Sequence, residues 1–358
     1  MRSHSLLARP ATASLAPYVA TNGATVATLY LAQALVTPAT AEFGPSTAIL
    51  LMPGATLAGY AIGVGLSAAV ARDLTARRGL ALHLFLLTSS LCLGAWAWTP
   101  ALGAIACLLI GSGCSLTQRL LASATSAVPA ARRAQVIGWI IAGGLCGIVV
   151  ARAGVPAAAD VVGRRTLLLA DACLIALLGC ACLRATERVP PGLSAAPDRV
   201  EPAWTLYHRF GSLRHAALHQ TSAFAAYNLG WALYPRILAA EGANAAVPMG
   251  VVAALGTVAA LVSGRLYQRH DPANIARSGG MAILFAGALA LVAGRLPHGA
   301  DAAMAMLDIG TQIALVANQA RAQSCAADPA TRGRMAAIVT TLGFLGGAIG
   351  AAIGNLWR

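Results

Sequence analysis

The chain has 358 residues, of which 58% are hydrophobic and only 10% are charged, and its mean hydropathy is +0.70. A soluble domain needs many more charged side chains to cover its surface, so this composition excludes an ordinary soluble protein. The apolar runs are long and continuous, without the alternation of a transmembrane β-barrel, and they predict an all-α polytopic membrane protein.

The formal net charge is +13, and each of the 25 basic residues is an arginine. In a soluble protein such a charge would point to nucleic acid. Here the arginines lie in short segments between apolar runs, where they can face the anionic surface of a membrane. The lipid bilayer is therefore the expected partner, and no nucleic-acid partner is expected.

A transmembrane helix needs about 20 apolar residues to cross a hydrocarbon layer of about 30 Å. Eleven segments of the chain meet this requirement. The predicted spans are residues 16–37, 47–71, 80–98, 101–125, 134–156, 165–184, 214–235, 246–267, 275–294, 299–321 and 335–356. The stretch before them has no continuous apolar core and is expected to be a short polar lead, not a removed signal peptide.

A polar segment rich in proline and charge, residues 185–213, separates six predicted spans from five. We therefore expect an N-terminal six-helix bundle over residues 1–184 and a C-terminal bundle over residues 214–358. With the N-terminus inside, 18 arginines fall on the cytoplasmic side and 6 on the outer side. This asymmetry follows the positive-inside rule and predicts a cytoplasmic N-terminus and linker.

The two halves also repeat each other in sequence. The segment 127–133 after the fourth span is echoed by 327–334 after the tenth, at an offset of 200 residues. A looser echo relates 59–78 to 256–271 at an offset near 195. Internal duplication around a cytoplasmic linker is the architecture of transporters whose halves rock about a central site.

Short segments with a recognisable pattern occur in order along nearly the whole chain. They are Tyr30–Gln33 with Glu42–Gly44, Gly59–Gly63, Gly143–Arg152, Leu307–Gln312, Asn318–Arg321 and Gly346–Gly350. Together they resemble the major facilitator superfamily, and within it the bacterial efflux-permease branch, similar to drug:proton antiporters. The loop after the second span, Arg72-Asp73 followed by Arg77-Arg78-Gly79, resembles that superfamily's signature in a different residue order.

The resemblance implies two pseudo-repeated helical bundles with twelve spans, working as a monomer in a bacterial inner membrane. It implies proton-coupled efflux of a small organic or amphipathic molecule by alternating access, with protons and substrate as partners and no cofactor. The chain departs from the pattern at Leu108, where many relatives have an arginine. It also shows eleven spans where the family has twelve, so either a twelfth span is absent or one of the predicted spans is in fact two. Uptake of a sugar or metabolite and a transport-inactive scaffold are the alternatives.

The basic loop with Arg72, Asp73, Arg77 and Arg78 is a candidate cytoplasmic gate. In that role its charges would pair with an adjacent helix end and stabilise one access state. The simpler interpretation is that the arginines only orient the chain in the membrane. The sequence favours both roles at once.

Ionisable side chains inside a span cost about 2.5–3.5 kcal/mol on insertion scales, so each is a candidate functional residue. Four arginine or acidic residues lie at least four residues inside a predicted span: Arg119, Arg152, Asp171 and Asp308. Asp171 is expected to form a structural ion pair with Arg165, in preference to a proton relay. Arg119 either takes part in substrate or ion binding or extends to the lipid headgroups.

The tenth span carries a polar stripe. Asp308 and Gln312 are four residues apart on one helix face, and Asn318 and Gln319 follow about two turns later. We predict that this stripe lines a cavity. Polar packing that ties the helix to its neighbours is an equally weighted alternative.

Polar and aromatic residues also mark the first and seventh spans, which occupy equivalent positions in a duplicated transporter. Tyr30 and Gln33 lie on the first, and Tyr227, Asn228 and Trp231 lie on the seventh. Both sets are predicted to face one cavity. Aromatic belts at the membrane interface are the competing explanation.

Glycines four residues apart occur in the fifth span, as Gly143 and Gly147, and in the eleventh, as Gly346 and Gly350. Such pairs let helix backbones approach closely. In a rocking transporter these helices are expected to slide against partners from the other half. Static close packing is the alternative.

No pattern in the sequence indicates an enzyme or a metal site. The seven histidines are scattered, with His215 and His219 as the one pair four residues apart, and the eight cysteines are irregularly spaced in apolar runs. The chain contains no lysine, so it lacks the phosphate-binding loop of ATP-driven transporters. Catalytic residues, metals and cofactors are therefore not expected.

Overall fold

The computed structural model describes residues 15–70, 75–126, 128, 130–186, 201–242, 246–266, 272–293, 299–326 and 328–357. Within these ranges every regular element is an α-helix. The helices are α1 (Ala16–Ala34), α2 (Val36–Phe43), α3 (Thr47–Val70), α4 (Ala76–Ala95), α5 (Pro100–Cys114), α6 (Leu116–Ser126), α7 (Ala130–Thr186), α8 (Ala203–Arg209), α9 (Gly211–Ala240), α10 (Ala246–Leu266), α11 (Pro272–Ala293), α12 (Ala300–Gln323) and α13 (Pro329–Leu356).

Helices lie in each of the eleven predicted spans. In the described part of the chain, seven segments are long and apolar enough to cross a membrane, or eight if α1 and α2, bent by 45°, count as one span. The helices α10 and α11 contain shorter apolar stretches, Val247–Ser263 and Gly279–Ala290. The prediction of an all-α polytopic membrane fold is confirmed.

The fifth and sixth spans form one helical hairpin, α7, that reverses at a single residue. Gly163 has φ +77° and ψ +162°, a conformation that residues with a side chain rarely adopt. It divides α7 into a first arm, 130–162, and a second arm, 164–186. Trp139 and Leu178, from opposite arms, line the same groove, so the arms run side by side in opposite directions.

The helices form two bundles with matching internal contacts. In the first, α1 packs along α7 and α3 along α5; in the second, α9 packs along α13 and α10 along α12. This layout agrees with the predicted pair of bundles. The boundaries 1–184 and 214–358 stay a prediction, and residues 187–200 of the expected linker lie outside the described residues. The short helix α8 falls within that linker and buries Leu206.

Glycines of the fifth span bring α7 and α1 together. A Cβ atom on Gly143 would lie 2.6 Å from the carbonyl oxygen of Val19. A Cβ atom on Gly147 would overlap with the carbonyl group of Gly23. The two backbones therefore meet at a distance that only glycine permits.

The eleventh span repeats this arrangement in the second bundle. Cβ atoms on Gly346 and Gly350 would overlap with the carbonyl oxygens of Thr221 and Ala225 on α9. Both glycine pairs thus face the first helix of their own bundle. The glycines therefore serve close packing within each bundle. Sliding of the fifth and eleventh spans against the other half stays a prediction.

The two bundles meet mainly where α3 packs on α13 and where α7 packs on α10. At the first contact the rings of Tyr60 and Phe344 have their centres 4.3 Å apart. At the second, a Cβ atom on Gly250 would lie 2.8 Å from the Cβ of Ala153. Any motion of one bundle against the other must rearrange these contacts.

A buried arginine ties together three chain segments on the predicted outer side. Arg164, next to the turn of α7, donates from Nε and Nη2 to both carboxylate oxygens of Glu42 at 2.8 and 2.9 Å. It also donates to the carbonyl oxygens of Gly94 at 2.6 Å and Ala97 at 3.3 Å, at the end of α4. A bidentate pair of this kind fixes orientation as well as distance.

A second arginine caps the end of α13. Arg236, near the end of α9, donates to the carbonyl oxygens of Gly354 at 3.2 Å, Asn355 at 2.8 Å and Trp357 at 2.9 Å. The last carbonyl groups of a helix have no partner within the helix and carry partial negative charge. The guanidinium of Arg236 supplies these carbonyl groups with hydrogen-bond donors and with positive charge.

Candidate functional site

Two opposite charges lie deep between the bundles. Arg152, on the first arm of α7, is 2% exposed, and Asp308, on α12, is 1% exposed. The two groups interact electrostatically. Among the described side chains, no direct ion pair joins Arg152 to Asp308. The carboxyl and the guanidinium are therefore close without neutralising one another through a direct contact.

Aromatic rings from both bundles hold the Arg152 side chain. Its guanidinium carbon lies 3.9 Å from the ring centre of Trp231 on α9 and 4.9 Å from that of Tyr30 on α1. Cation–π contacts of this kind compensate part of the cost of burying a cation. Tyr227 lies beside Trp231, with ring centres 6.2 Å apart. We call Tyr30, Arg152, Tyr227, Trp231 and Asp308 the central cluster.

Many polar atoms in and around the central cluster are buried without a hydrogen-bond partner. They are Arg152 Nε and Nη2, Asp308 Oδ2, Tyr227 Oη, Trp231 Nε1, Asn228 Oδ1 and Gln33 Oε1. An unpaired buried polar group costs several kcal/mol in a hydrocarbon environment, so proteins normally pair such groups. A concentration of them at one place indicates that water, ions or a ligand supply the missing partners.

The carboxyl of Asp308 has one polar neighbour on its own helix and a glycine opposite. Gln312 Nε2 donates to Asp308 Oδ1 at 3.4 Å, which is a long hydrogen bond. A Cβ atom on Gly256 of α10 would overlap with the Asp308 carboxyl group. Glycine at that position leaves the space that the carboxyl occupies.

A cavity of about 290 Å³ adjoins the central cluster on the predicted outer side. Tyr30, Gln33, Arg152 and Trp231 are among its lining residues. Its walls come from α1, α2, α3 and α7 of the first bundle and from α9, α10 and α13 of the second. The volume corresponds to a small organic molecule at the lower end of the usual range for ligand sites.

Aromatic rings separate the central cluster from the predicted inner side. Phe344 contacts Tyr60 and also Phe224, whose ring centre is 5.0 Å away. The Tyr60 hydroxyl lies 2.9 Å from Thr117 Oγ1 and accepts a hydrogen bond from Gln118 Nε2 at 3.2 Å. This layer joins α3 of the first bundle to α9 and α13 of the second.

The polar stripe of the tenth span divides into two parts. Asp308 and Gln312 belong to the central region, as described above. Asn318 Nδ2 donates to Gln220 Oε1 on α9 at 3.0 Å, and Gln319 Nε2 donates to Thr340 Oγ1 on α13 at 3.0 Å. In this structure the second part ties α12 to its neighbours.

Of the predicted residues on α9, Tyr227 and Trp231 join the central cluster, and Asn228 faces a different neighbour. Its Nδ2 donates to the carbonyl oxygen of Phe224 at 2.9 Å. A Cβ atom on Gly347 would lie 2.7 Å from that nitrogen. Asn228 therefore packs against α13, and its side-chain oxygen Oδ1 has no hydrogen-bond partner.

Arg119 lies apart from the central cluster. Its Nη2 donates to the carbonyl oxygen of Ser67 at 3.3 Å. Its guanidinium also lies against the start of α4, 3.4 Å from where a Cβ on Gly79 would be. The arginine thus joins α6 to α3 and α4 near the predicted inner side.

The expected gate loop is described only in part. Arg72 and Asp73 lie outside the described residues, whereas Arg77 and Arg78 are exposed in the first turn of α4. Thr75 caps that helix, since its Oγ1 accepts a hydrogen bond from the backbone N–H of Arg78 at 3.3 Å. Gating by this loop stays a prediction.

Asp171 and Arg165 do not form the expected ion pair. Thr28 Oγ1 on α1 donates to Asp171 Oδ2 at 2.8 Å. The guanidinium carbon of Arg165 lies 3.5 Å from the ring centre of Trp96. Six residues along a helix put the two side chains on different faces, so each finds a separate partner.

Sequence reasoning gave Arg152 no specific role, although the structure places it at the centre. The available signal was its position inside the fifth span, five residues after the glycine-rich run that ends at Gly147. An arginine within a span costs enough to mark it as functional. Its partners come from two other helices, and spacing along the chain does not reveal such contacts.

The model for the Major Facilitator Superfamily matches residues 18–351 of the chain. The chain belongs to the major facilitator superfamily. No curated protein matches it at the sequence level. Membership in this superfamily fits the two matching bundles and the site at their junction.

Solved structures share the fold. A bacterial homologue of the human lysosomal transporter Spinster, inward-facing and unoccupied, has a TM-score of 0.73 at 16% identity, covering 95% of this chain and 80% of its own. The same homologue in an occupied inward-facing state gives 0.71 at 16% identity, covering 96% and 80%. The xylose transporter XylE from E. coli, partially occluded and inward open, gives 0.68 at 13% identity, covering 95% and 91%. At these identities the likeness to major facilitator transporters shows the fold alone.

Proposed function

We propose that this protein is a secondary active transporter that exports a small organic or amphipathic molecule in exchange for protons by alternating access. It works as a monomer in a bacterial inner membrane, with the N-terminus in the cytoplasm. Residues 1–184 and 214–358 form the two moving halves in this proposal.

The observation that carries the proposal is the pair of buried, unpaired charges between the bundles. Arg152 and Asp308 have free hydrogen-bonding atoms and lie where the bundles meet. A site at the junction of two repeats changes its access when the repeats rock. The adjoining cavity supplies space for a substrate in contact with Tyr30, Gln33 and Trp231.

The coupling rests on Asp308. Its carboxylate can accept a cationic or hydrogen-bond-donating group of the substrate, and a proton on the same oxygens blocks that contact. Proton and substrate then exclude one another, as antiport requires. Arg152 and the aromatic rings hold the rest of the substrate, and Gln312 orients the carboxyl.

The direction of transport rests on the resemblance of six chain segments to the efflux-permease branch. An uptake permease would run the same conformational cycle with the opposite coupling. Direction and coupling are therefore the quantities to measure.

The test uses purified full-length protein in proteoliposomes with an imposed pH gradient. Ethidium, with a panel of small organic amines and acids, serves as the probe, and a pH-sensitive dye reports proton movement. We expect gradient-driven flux of at least one compound. In Asp308→Asn the proton movement should disappear, while gradient-independent exchange of the compound persists.

Glu241→Gln is the matched control, because Glu241 is an exposed carboxylate at the end of α9. Its flux should equal that of the wild type. Unchanged proton-driven flux in Asp308→Asn would remove Asp308 from the mechanism. A folded protein that moves no compound of the panel, and binds a partner protein instead, would favour the scaffold alternative.

A further inference from the structure

A second and larger space lies between α1 and the two arms of α7. This groove has a volume of about 700 Å³. Its floor is the close contact of α1 with the first arm, near Gly23 and Gly147, and its walls are mostly carbon. Neither Arg152 nor Asp308 lines it, so it is separate from the central cluster.

The groove opens toward the lipid. Trp139 and Val150 on the first arm are 56% and 55% exposed, and Leu174 on the second arm is 47% exposed. All three line the groove. Large apolar side chains on the rim of a transmembrane hairpin meet lipid in the membrane, so a molecule dissolved in the bilayer has direct access.

One charged residue, Asp171, lies among the lining residues. Its Oδ2 accepts the hydrogen bond from Thr28, and its side chain is partly exposed toward the groove. It lies about two turns below the turn of α7, at the depth of the hydrocarbon. A carboxyl placed there is costly unless a partner supplies hydrogen bonds or positive charge.

We propose that the groove binds a lipophilic amine from the membrane, with the amine group on Asp171 and the alkyl chain along the apolar walls. Charge complementarity with Asp171 favours an amine over other lipophilic molecules. A fatty acid would bring a second carboxylate next to Asp171, and a neutral alcohol would supply one hydrogen bond without charge. An ammonium group supplies both charge and donors, and it adds to the hydrogen bond from Thr28.

The experiment places the purified full chain in nanodiscs of neutral phosphatidylcholine and adds a terminally brominated hexadecylamine. A chain of this length is needed because Trp139 lies about 24 Å further from the turn of α7 than Asp171 does. Bromine quenches tryptophan at short range, and Trp139 lies in the groove. Binding is read as the saturable quenching that is present in the wild type and lost in Trp139→Phe. We expect the amine to bind about tenfold more tightly than the matching brominated hexadecanol.

The variant Asp171→Asn should bring the affinity for the amine down to that for the alcohol. The matched control Glu241→Gln, which removes an exposed carboxylate at the end of α9, should retain the preference for the amine. A wild type without that preference, or an Asp171→Asn protein that keeps it, would overturn the proposal.

A second variant covers the case in which Asp171→Asn does not fold. Ala170 lines the groove next to Asp171 and is exposed. Ala170→Phe fills the groove and leaves the carboxyl in place. It should abolish saturable quenching by both probes, and persistent quenching by the amine would contradict the assigned site.

Discussion

The guanidinium carbon of Arg152 lies 3.9 Å from the ring centre of Trp231, and the two residues belong to different bundles. The contact lies beside the cavity on the predicted outer side. Opening that side further requires the ring and the guanidinium to separate. In the proposed mechanism, this contact links substrate binding to the relative position of the bundles.

Arg152→Gln removes the positive charge while keeping hydrogen-bonding atoms. We expect flux in proteoliposomes to fall at least about tenfold, because the Asp308 carboxyl loses the cation with which it interacts. Arg152→Lys should recover part of the flux, since the charge returns without the planar group that stacks on aromatic rings. Trp231→Phe keeps an aromatic ring against the guanidinium, so we expect it to lower the flux only slightly. A cation–π contact is worth roughly 0.5–2 kcal/mol, and phenylalanine retains part of it. Wild-type flux in Arg152→Gln would place the residue outside the transport site.

Substituting Arg164 and substituting Glu42 should lower the free energy of unfolding by unequal amounts. Arg164→Gln leaves two carbonyl oxygens and a carboxylate without their buried donor, and should lower the free energy of unfolding by about 3 kcal/mol. Glu42→Gln should cost about 1 kcal/mol, because the Glu42 side chain is 47% exposed and water can replace it. Thermal unfolding in detergent measures both. Equal losses would mean that the carbonyl contacts of Arg164 contribute nothing.

Glycine-to-alanine substitutions test whether a given glycine is needed for the close approach of two helices. Gly147→Ala and Gly350→Ala add a methyl group that overlaps with a neighbouring backbone, so the unfolding temperature should fall by several degrees. Gly154→Ala and Gly138→Ala meet nothing within 4 Å and should leave stability equal or slightly higher. Tolerance of alanine at Gly147 would show that α1 and α7 can move apart at no cost.

Removing the cap on α13 should loosen the end of that helix. Arg236→Gln loses contacts to three carbonyl groups, and we expect a loss of about 1–2 kcal/mol. Faster hydrogen exchange at the last turn of α13 should accompany it. Arg132→Gln, at an exposed arginine near the start of α7, is the control and should change neither quantity. An unaltered exchange rate in Arg236→Gln would assign the helix end to other contacts.

The positions of the long helices could be predicted because span length follows from the thickness of a bilayer. Even α7, where two spans share one helix with a reversal at Gly163, appears in the sequence as two apolar runs. The bends inside spans were not predicted, since Leu35 and Ser115 interrupt helices that remain apolar throughout. A hydropathy pattern shows that a segment is apolar but does not show where its helix bends.

Side-chain partners were harder to predict than helices. Tyr30, Trp231 and Asp308 were expected at a cavity, and the structure brings them together around Arg152. Periodicity shows which residues share a helix face, but the identity of the facing helix depends on how three or more helices pack. The same limit explains why Asp171 was assigned to a nearby arginine and not to Thr28, on a helix more than a hundred residues away in sequence.

The reversal of α7 at one glycine also determines where probes can be attached. A link of a single residue offers no exposed loop for an epitope tag or a protease site, and an insertion there would disturb the neighbouring Arg164. Reporter fusions that map the topology of this chain should therefore be placed at other connections.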